Sequence, residues 1–582
     1  NAVPGAIFDI SIDVRAARDF GGASVVKNIE EHGLGIDDPS KTFFTFDCNP
    51  CGSDPGYAAN QQKCRLFARK RGIRIYDINT GIGTHTMIDE GILVPGATFI
   101  STDSHANIVG AIGAFGQGMG DKDIAYAFAY GKIWFKVPPT VKVILSGTPS
   151  ASAGPKDIAL VMLRKLGASG LLGYAAEIYG TYTQRLSLDA RITISSMATE
   201  MGGIISLFPP DGKVLEYCSS VSKMKVEPQF ADKDAEYVCT VDIDIDGLEP
   251  LVSMPGHPED VADITDVAGS KIDSVFIGSC TNGRFEDMKT AADILKGKKI
   301  APGIVLKIVP STDRVWKECL DKGIIEIFKR SGALVGNAGC AGCAAGQIGQ
   351  NGPGEVTVST GNRNFPGKQG KGRVYLASSA VAAASALAGI ITHPDNIPSK
   401  PVVFSQEEPK RKTEPVRQFQ GTVSGRIKGK IWIIAEDNID TDMIYHNRYL
   451  AITDIEKMGL YTFGNLKGWE GFSKKAAAGD IVITGKNFGC GSSRQQAVDC
   501  FKNLKISLII AASFGAIYER NAVNSGFPVM CADLVSSGLK SGGIIEVDLG
   551  TGKIKDVESG TEYYGQAFSE IQMDIYKKGG LL

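Results

Sequence analysis

The stretch "KIDSVFIGSCTNGRFEDMKTAADIL" (271–295) sets the tightest limit on what this chain can fold into. An apolar run closes at Gly278, a polar loop follows, and Phe285, Met288, Ala292 and Leu295 then recur at helical spacing. The same order of strand, loop and helix returns in "DIVITG", "KNFGCG" and "SSRQQAVDCFKN" (480–503), and "ISLIIAA" from Ile506 supplies another strand. Alternation of this kind along most of the chain predicts α/β architecture. At 582 residues the chain is too long for one ordinary core. The clearest boundary is a segment rich in Pro, Lys and Glu and poor in periodicity. The expected organisation is a core at 1–395, itself several α/β domains with borders that composition does not reveal, a linker at 396–427, and a tail domain at 428–582.

A net charge of −2 offers no general reason to expect nucleic acid or an anionic membrane as partner. Twelve cysteines in this length fall far short of a disulfide scaffold. The opening "NAVPGAIFDI" lacks the basic start and long apolar stretch of a secretory signal, and "VAAASALAGII" from Val381 is too short to span a bilayer. A reducing cytoplasm is the expectation, and a first residue other than Met is compatible with a removed leader. "GAFGQGMGDKD" (113–123) invites a phosphate-loop reading but lacks both Gly-Lys-Ser/Thr and GxGxxG, so tight packing or turn geometry is expected there. His32, His257, His393 and His446 stand in contexts that assign them no role.

"GNAGCAGCAAGQ" (336–347) places Cys340 and Cys343 three apart among small residues. By itself this pair reads equally as half a zinc site, a dithiol redox pair or part of an iron–sulfur ligand set. Cys280, in "FIGSCTNGR", stands where a strand hands over to a helix, which is where α/β proteins place ligands and where a thiol's pKa is lowered. Three cysteines are one short of a closed four-cysteine cluster. That deficit is a defect for electron transfer and an asset for Lewis-acid chemistry.

S-C-T-N, then C-x-x-C, then "GNRNFPGKQG" and, in the tail, "FGCGSSRQQA" occur in the order seen in the aconitase and isopropylmalate isomerase family, and "GIGTH" (81–85) and "STDSHANI" (101–108) add two further matching stretches. The chain resembles that family over nearly its whole length, most closely the isopropylmalate/homoaconitate branch with its small subunit fused behind the linker. The resemblance implies three α/β domains around a 4Fe–4S cluster and a C-terminal swivel domain that closes over it. It implies Cys280, Cys340 and Cys343 as cluster ligands, and reversible removal and readdition of water on a 2-hydroxy di- or tricarboxylic acid. An aconitate hydratase or homoaconitase activity is the alternative, and a regulator that binds RNA after cluster loss is the alternative outside enzymology. The low charge and absence of a long basic tract speak against the last. A monomer, without membrane or nucleic-acid partner, is compatible with all of this.

By family position, Ser492 is the expected base, acting as an alkoxide with Arg494 beside it; a plain helix N-cap is the competing reading of that serine. Arg363 matches a carboxylate binder, Lys368 stands where many relatives have a second arginine, and Arg448, Ser104 and Ser493 complete the expected substrate contacts. Asp103 is expected to orient His85, and Glu200 to orient His105. Ser196 replaces an asparagine usual four residues before that glutamate. The largest departure is "FDCNPCG" (46–52): Asp47 is retained, but Cys48 replaces the histidine linked to protonation of the leaving hydroxyl, and Cys51 makes a second CxxC. A thiol proton donor, a redox pair and a local substitution all remain open for Cys48. After Arg448-Tyr449-Leu450 the chain continues Ala451-Ile452-Thr453, without the cation typical of homoaconitate-type members. An alkyl-substituted malate is therefore the expected substrate, because an unpaired third carboxylate facing Ala451 and Ile452 would be costly to desolvate.

Overall fold

The computed structural model describes residues 3–50, 52, 54–342, 347–403, 425–450, 452–491 and 494–581. The chain is mixed α/β and divides into two compact units, Asn1–Glu407 and Glu408–Leu582. Most of the segment read as a linker lies outside the described residues.

The first unit is organised by three sheets. One is five-stranded and wholly parallel, in the order Arg74–Tyr76, Thr42–Thr45, Val14–Arg18, Thr98–Ser101, Phe115–Gly118. Its side chains alternate between two cores, Ala16, Phe43 and Phe99 on one face and Ala17, Phe44 and Ile100 on the other. Both faces are thus covered, as a parallel sheet requires. The second sheet is four-stranded and parallel, built on Thr140–Ser146. The third has seven strands, with Arg373–Leu376, Val356–Ser359, Ser274–Ile277, Val305–Ile308 and Leu334–Val335 running parallel in that order.

The order in which strands are added reverses in the five-stranded sheet between Val14–Arg18 and Thr98–Ser101, and in the seven-stranded sheet between Ser274–Ile277 and Val356–Ser359. Such switch points open a crevice at the carboxyl ends of the strands. Arg18 and Asp103 stand at the first, Cys280 and Asn362 at the second. The glycine-rich 113–123 stretch forms the strand Phe115–Gly118 packed against Asp103–Ala106. A Cβ at Gly116 would meet the Ala106 carbonyl oxygen at 2.3 Å, and one at Gly118 the Asp103 oxygen at 2.5 Å. Close packing explains those glycines.

The second unit is a seven-stranded sheet in which Val529–Cys531, Leu508–Ala511, Ile481–Thr484 and Arg426–Ile434 are parallel and three further strands extend it antiparallel. Val482 and Ile509 face an aromatic core with Phe463, Phe488 and Phe501, while Ile481, Ile483 and Ile510 face an aliphatic one. The helix after Ile481–Thr484 runs over Gln496–Asn503. The run from Val381 is part of a helix, Ser379–Ala388, with seven of its alanine, valine and leucine residues buried. Among the described residues no helix is long and apolar enough to cross a membrane.

Candidate active site

At the first switch point Arg18 ties two strand ends together. Its Nε donates to Asp47 Oδ1 at 2.7 Å and its Nη1 to Asp103 Oδ1 at 2.8 Å, while its buried Nη2 has no hydrogen-bond partner among the described residues. Asp47 Oδ2 accepts the Gly83 N–H at 3.0 Å, and the Cys48 thiol lies 3.6 Å from Asp47 Oδ1. Burial raises the Asp47 pKa to about 6, against the pull of Arg18. Burial also opposes ionisation of Asp103, but Arg18 and His105 carry that carboxyl below its ordinary value. Cys48 is pushed well above the usual thiol range, chiefly by burial, so it stays a protonated thiol at neutral pH. Asp19, Asp47 and Cys48 approach one another closely enough to suggest a metal site. The donor set does not fit one: Asp19 already accepts the backbone N–H groups of Cys48 and Asn49 and the Gln61 amide, and Arg18 occupies the space beside Asp47.

At the second switch point Cys280 follows Ser279, whose φ of 80° turns the chain sharply out of its strand. The buried Cys280 thiol lies 3.3 Å from Asn362 Oδ1, and the buried Asn362 Nδ2 has no hydrogen-bond partner among the described residues. His85 Nε2 lies 3.0 Å from the Cys280 carbonyl oxygen. A carbonyl only accepts, so Nε2 carries the proton and the buried Nδ1, without a hydrogen-bond partner among the described residues, carries the lone pair. Burial, reinforced by Arg284, lowers this imidazole's pKa to about 4 and keeps it neutral. This corrects one expectation: Asp103 does not orient His85. Asp103 is committed to Arg18 and to the His105 backbone N–H, and the Cys280 carbonyl orients His85 instead.

His105 and Glu200 are brought together, Nε2 to Oε1 at 3.2 Å, and Glu200 Oε1 also accepts Arg363 Nε at 2.7 Å. His105 Nδ1 reaches the Ser104 hydroxyl at 3.4 Å. Burial would lower the His105 pKa, but Cys280 and Glu200 outweigh it and raise the group well above its ordinary value. The two imidazoles beside Cys280 therefore hold opposite protonation states, the arrangement by which a site separates an acid from a base. Ser196, in the asparagine's place, donates to the Thr193 carbonyl and reaches Thr281 Oγ1 at 3.2 Å, next to Cys280. Cys340 is 4% exposed, and its N–H donates to the Asp47 carbonyl at 2.9 Å, which joins the cysteine loop to the first switch point. Lys368 lies in a turn closed by its own N–H on the Phe365 carbonyl. Cys343 and Cys51 lie outside the described residues.

In the second unit Arg494 donates to the Tyr445 carbonyl at 3.0 Å and to Asp442 Oδ2 at 2.8 Å. The Arg494 hydrogen bond draws Asp442 down to a pKa of about 2. Arg448 is exposed, its Nε 3.3 Å from His446 Nδ1. Ser492, Ser493 and Ala451 lie outside the described residues.

The residues present suit a cluster held by cysteine sulfur. Cys280 and Cys340 are buried thiols in one apolar cluster, and the idle Asn362 N–H beside Cys280 is a donor suited to an anionic sulfur. Arg18 escaped the sequence reading. The available signal was an arginine closing an apolar strand, "VRAAR", immediately before the acidic first residue of a helix.

Strand-end crevices thus gather paired carboxylates, two imidazoles and buried thiols in one α/β unit. The profile of the Aconitase family (aconitate hydratase) matches residues 13–389, and that of the Aconitase C-terminal domain matches 412–532. The large subunit of 3-isopropylmalate dehydratase from Sulfurihydrogenibium sp. is 39% identical over 399 residues, covering 68% of this chain and 93% of that protein. Large subunit 1 from Archaeoglobus fulgidus is 40% identical over 395 residues, covering 66% and 94%. Among solved structures, a 3-isopropylmalate dehydratase from Methanocaldococcus jannaschii is 35% identical, covering 27% of this chain and 90% of its own, with a TM-score of 0.25. The chain belongs to the aconitase family and is a hydro-lyase, with both family parts in one polypeptide.

Proposed function

We propose that this enzyme reversibly dehydrates and rehydrates a 2-hydroxy acid, with an alkyl-substituted malate such as 3-isopropylmalate preferred, on a 4Fe–4S cluster held by Cys280, Cys340 and Cys343. The cluster supplies a Lewis acid for departure of the hydroxyl group. The remaining work falls to the chain. Arg363, fixed by Glu200, presents its guanidinium to a substrate carboxylate, with Lys368, Arg448, Ser104 and Ser493 as further contacts. His105, protonated against Glu200, donates a proton toward the leaving oxygen, while Asp103 holds its backbone. The Cys48 thiol on Asp47 is a second donor where relatives carry histidine. Ser492, with Arg494 beside it, takes the carbon-bound proton. His85 remains neutral and positions the Cys280 backbone. The borders 1–395, 396–427 and 428–582 belong to the same proposal, with the last segment closing over the substrate.

The observation that carries this reading is the buried Cys280 beside Asn362, with His85 on its carbonyl and the His105–Glu200 pair on Arg363. The substrate preference is supported by Ala451 and Ile452, in place of a cation, directly after Leu450 and by the likeness to 3-isopropylmalate dehydratase large subunits. The test is anaerobic reconstitution with iron and sulfide quantitation, then an absorbance screen of citrate, isocitrate, homocitrate, 3-isopropylmalate, citramalate and 2,3-dimethylmalate. A brown protein with its highest kcat/KM on an alkylmalate is expected. A markedly higher value for citrate or isocitrate makes it an aconitate hydratase, and a reconstituted protein without iron removes the cluster.

A further inference from the structure

Lys156 is the second residue of the helix Pro155–Leu166, and its side chain is wholly buried. Its Nζ donates to the Gly361 carbonyl at 2.7 Å and the Thr360 carbonyl at 3.4 Å, and lies 3.7 Å from the Met197 sulfur. It forms no ion pair among the described residues. The neighbouring Asp157 carboxylate is spent on the Gly154 and Leu251 N–H groups, at 2.7 and 2.8 Å. The first turn of a helix is also the wrong end for a cation, because the backbone dipole is positive there. A buried ammonium held only by neutral groups is unfavourable unless an anion nearby compensates it.

The position of this ammonium indicates the anion. Thr360 and Gly361 precede Asn362 and Arg363, which contact Cys280 and Glu200. The Thr360 hydroxyl bridges the Gly278 N–H and carbonyl, both at 2.9 Å, two residues before Cys280. Met197 opens the short helical turn Met197–Met201 that carries Glu200. The ammonium therefore lies at the junction of the three segments that position Cys280, Arg363 and Glu200.

We propose that Lys156 is a positioning residue and counter-charge for the cysteine-bound centre: its ammonium clamps the Thr360–Gly361 turn and offsets the negative charge of sulfur at Cys280, raising the centre's reduction potential. The inference rests on the cluster reading above. The charged groups facing Lys156 are Glu200 on its short turn, Cys280 on its loop, Asp287 on the helix Phe285–Leu295 and Asp157 on its own helix. Burial brings the ammonium down to a pKa of about 8, so it is charged at neutral pH.

The test compares the parent, Lys156→Met and Lys156→Gln, each reconstituted anaerobically and titrated with dithionite while the reduced cluster is followed by electron paramagnetic resonance. Both variants are expected to show a more negative midpoint potential than the parent, and iron loss in air several-fold faster. Met and Gln must agree, because Gln keeps a donor for the Gly361 carbonyl and lacks only the charge. In cluster-free protein the Met variant should melt at or above the parent temperature, since an uncompensated buried charge has gone. Equal loss of melting temperature in loaded and cluster-free protein with an unmoved potential would reduce Lys156 to a loop clamp, and a shift in Met without one in Gln would show the hydrogen bond rather than the charge at work. If neither variant loads yet both melt with the parent in cluster-free form, loading itself needs the charge; failure to load with an equally lowered cluster-free melting temperature in both overturns the proposal. A parent that takes up no iron refutes the cluster instead, which separates the two failures.

Discussion

The two units place arginine–carboxylate pairs in different media, one at strand ends and one between the starts of two helices. Arg18 joins Asp47 and Asp103 in the first unit, with both carboxylate side chains no more than 3% exposed. Arg494 grips Asp442 in the second, where the Asp442 side chain is 38% exposed. The first is a buried triad whose members set one another's protonation: burial raises Asp47 while Arg18 keeps Asp103 ionised. The second is a half-solvated clamp that holds a guanidinium at a fixed angle. Buried partners are mutually dependent, whereas exposed ones contribute mainly orientation.

Breaking each pair measures that contrast, and the largest effect belongs to Arg18. Arg18→Met leaves two buried carboxylates without their cation, at a cost of about 3–5 kcal/mol. Denaturant unfolding should register that loss, with activity falling alongside. Arg494→Met should cost about 1 kcal/mol or less, because water takes over at Asp442, while kcat/KM still collapses. Equal stability losses would mean that the two media do not differ.

A smaller effect is expected at Glu200. Glu200→Gln keeps the shape and removes a charge that holds His105 protonated. The kcat should drop by about 10²-fold at neutral pH, and the alkaline limb of its pH profile should move to lower pH. An unmoved limb would take His105 out of the proton path.

The smallest effect sharpens the comparison through pH. Asp442, with a folded pKa of about 2, lies below its unfolded value of roughly 4, so its stabilisation is complete above that value and lost as pH falls toward 2. Asp287 is the opposite case: burial raises it to about 7, so its contribution is present in acid and lost as pH rises from roughly 4 to 7. Asp442→Asn should flatten the acid side of the stability curve and Asp287→Asn the rise-to-neutral side, each by denaturant midpoints across pH. Identical curves for parent and variants would show that neither carboxyl is linked to folding.

Much of this was legible in the sequence. The recurring strand–loop–helix order announced the α/β sheets, and Cys280, His105, Glu200 and Arg363 sit within short motifs that survive as local shapes. What was not legible depends on which strands become neighbours. Arg18 reaches Asp103 only because Val14–Arg18 pairs with Thr98–Ser101, and no local pattern encodes that adjacency. The orientation of His85 went astray for the same reason, since its partner is a backbone carbonyl 195 residues away. Lys156 was silent because a lysine at a helix start reads as solvated surface, and only burial reveals it.

The placement of the centre at two switch points also bears on how the chain acquires it. The contacts that shape it span 85 residues from Arg18 to Asp103, 163 from Glu200 to Arg363 and 195 from His85 to Cys280. Contacts of such separation form late, after the loops between them have already been ordered. A nascent chain that stops short of Cys340 can complete the five-stranded sheet yet presents Cys280 without its partner thiol, exposed to whatever oxidant or metal reaches it first. Closing these long-range contacts is thus the slow part of forming the site, and Cys280 is synthesised before Cys340 and Arg363.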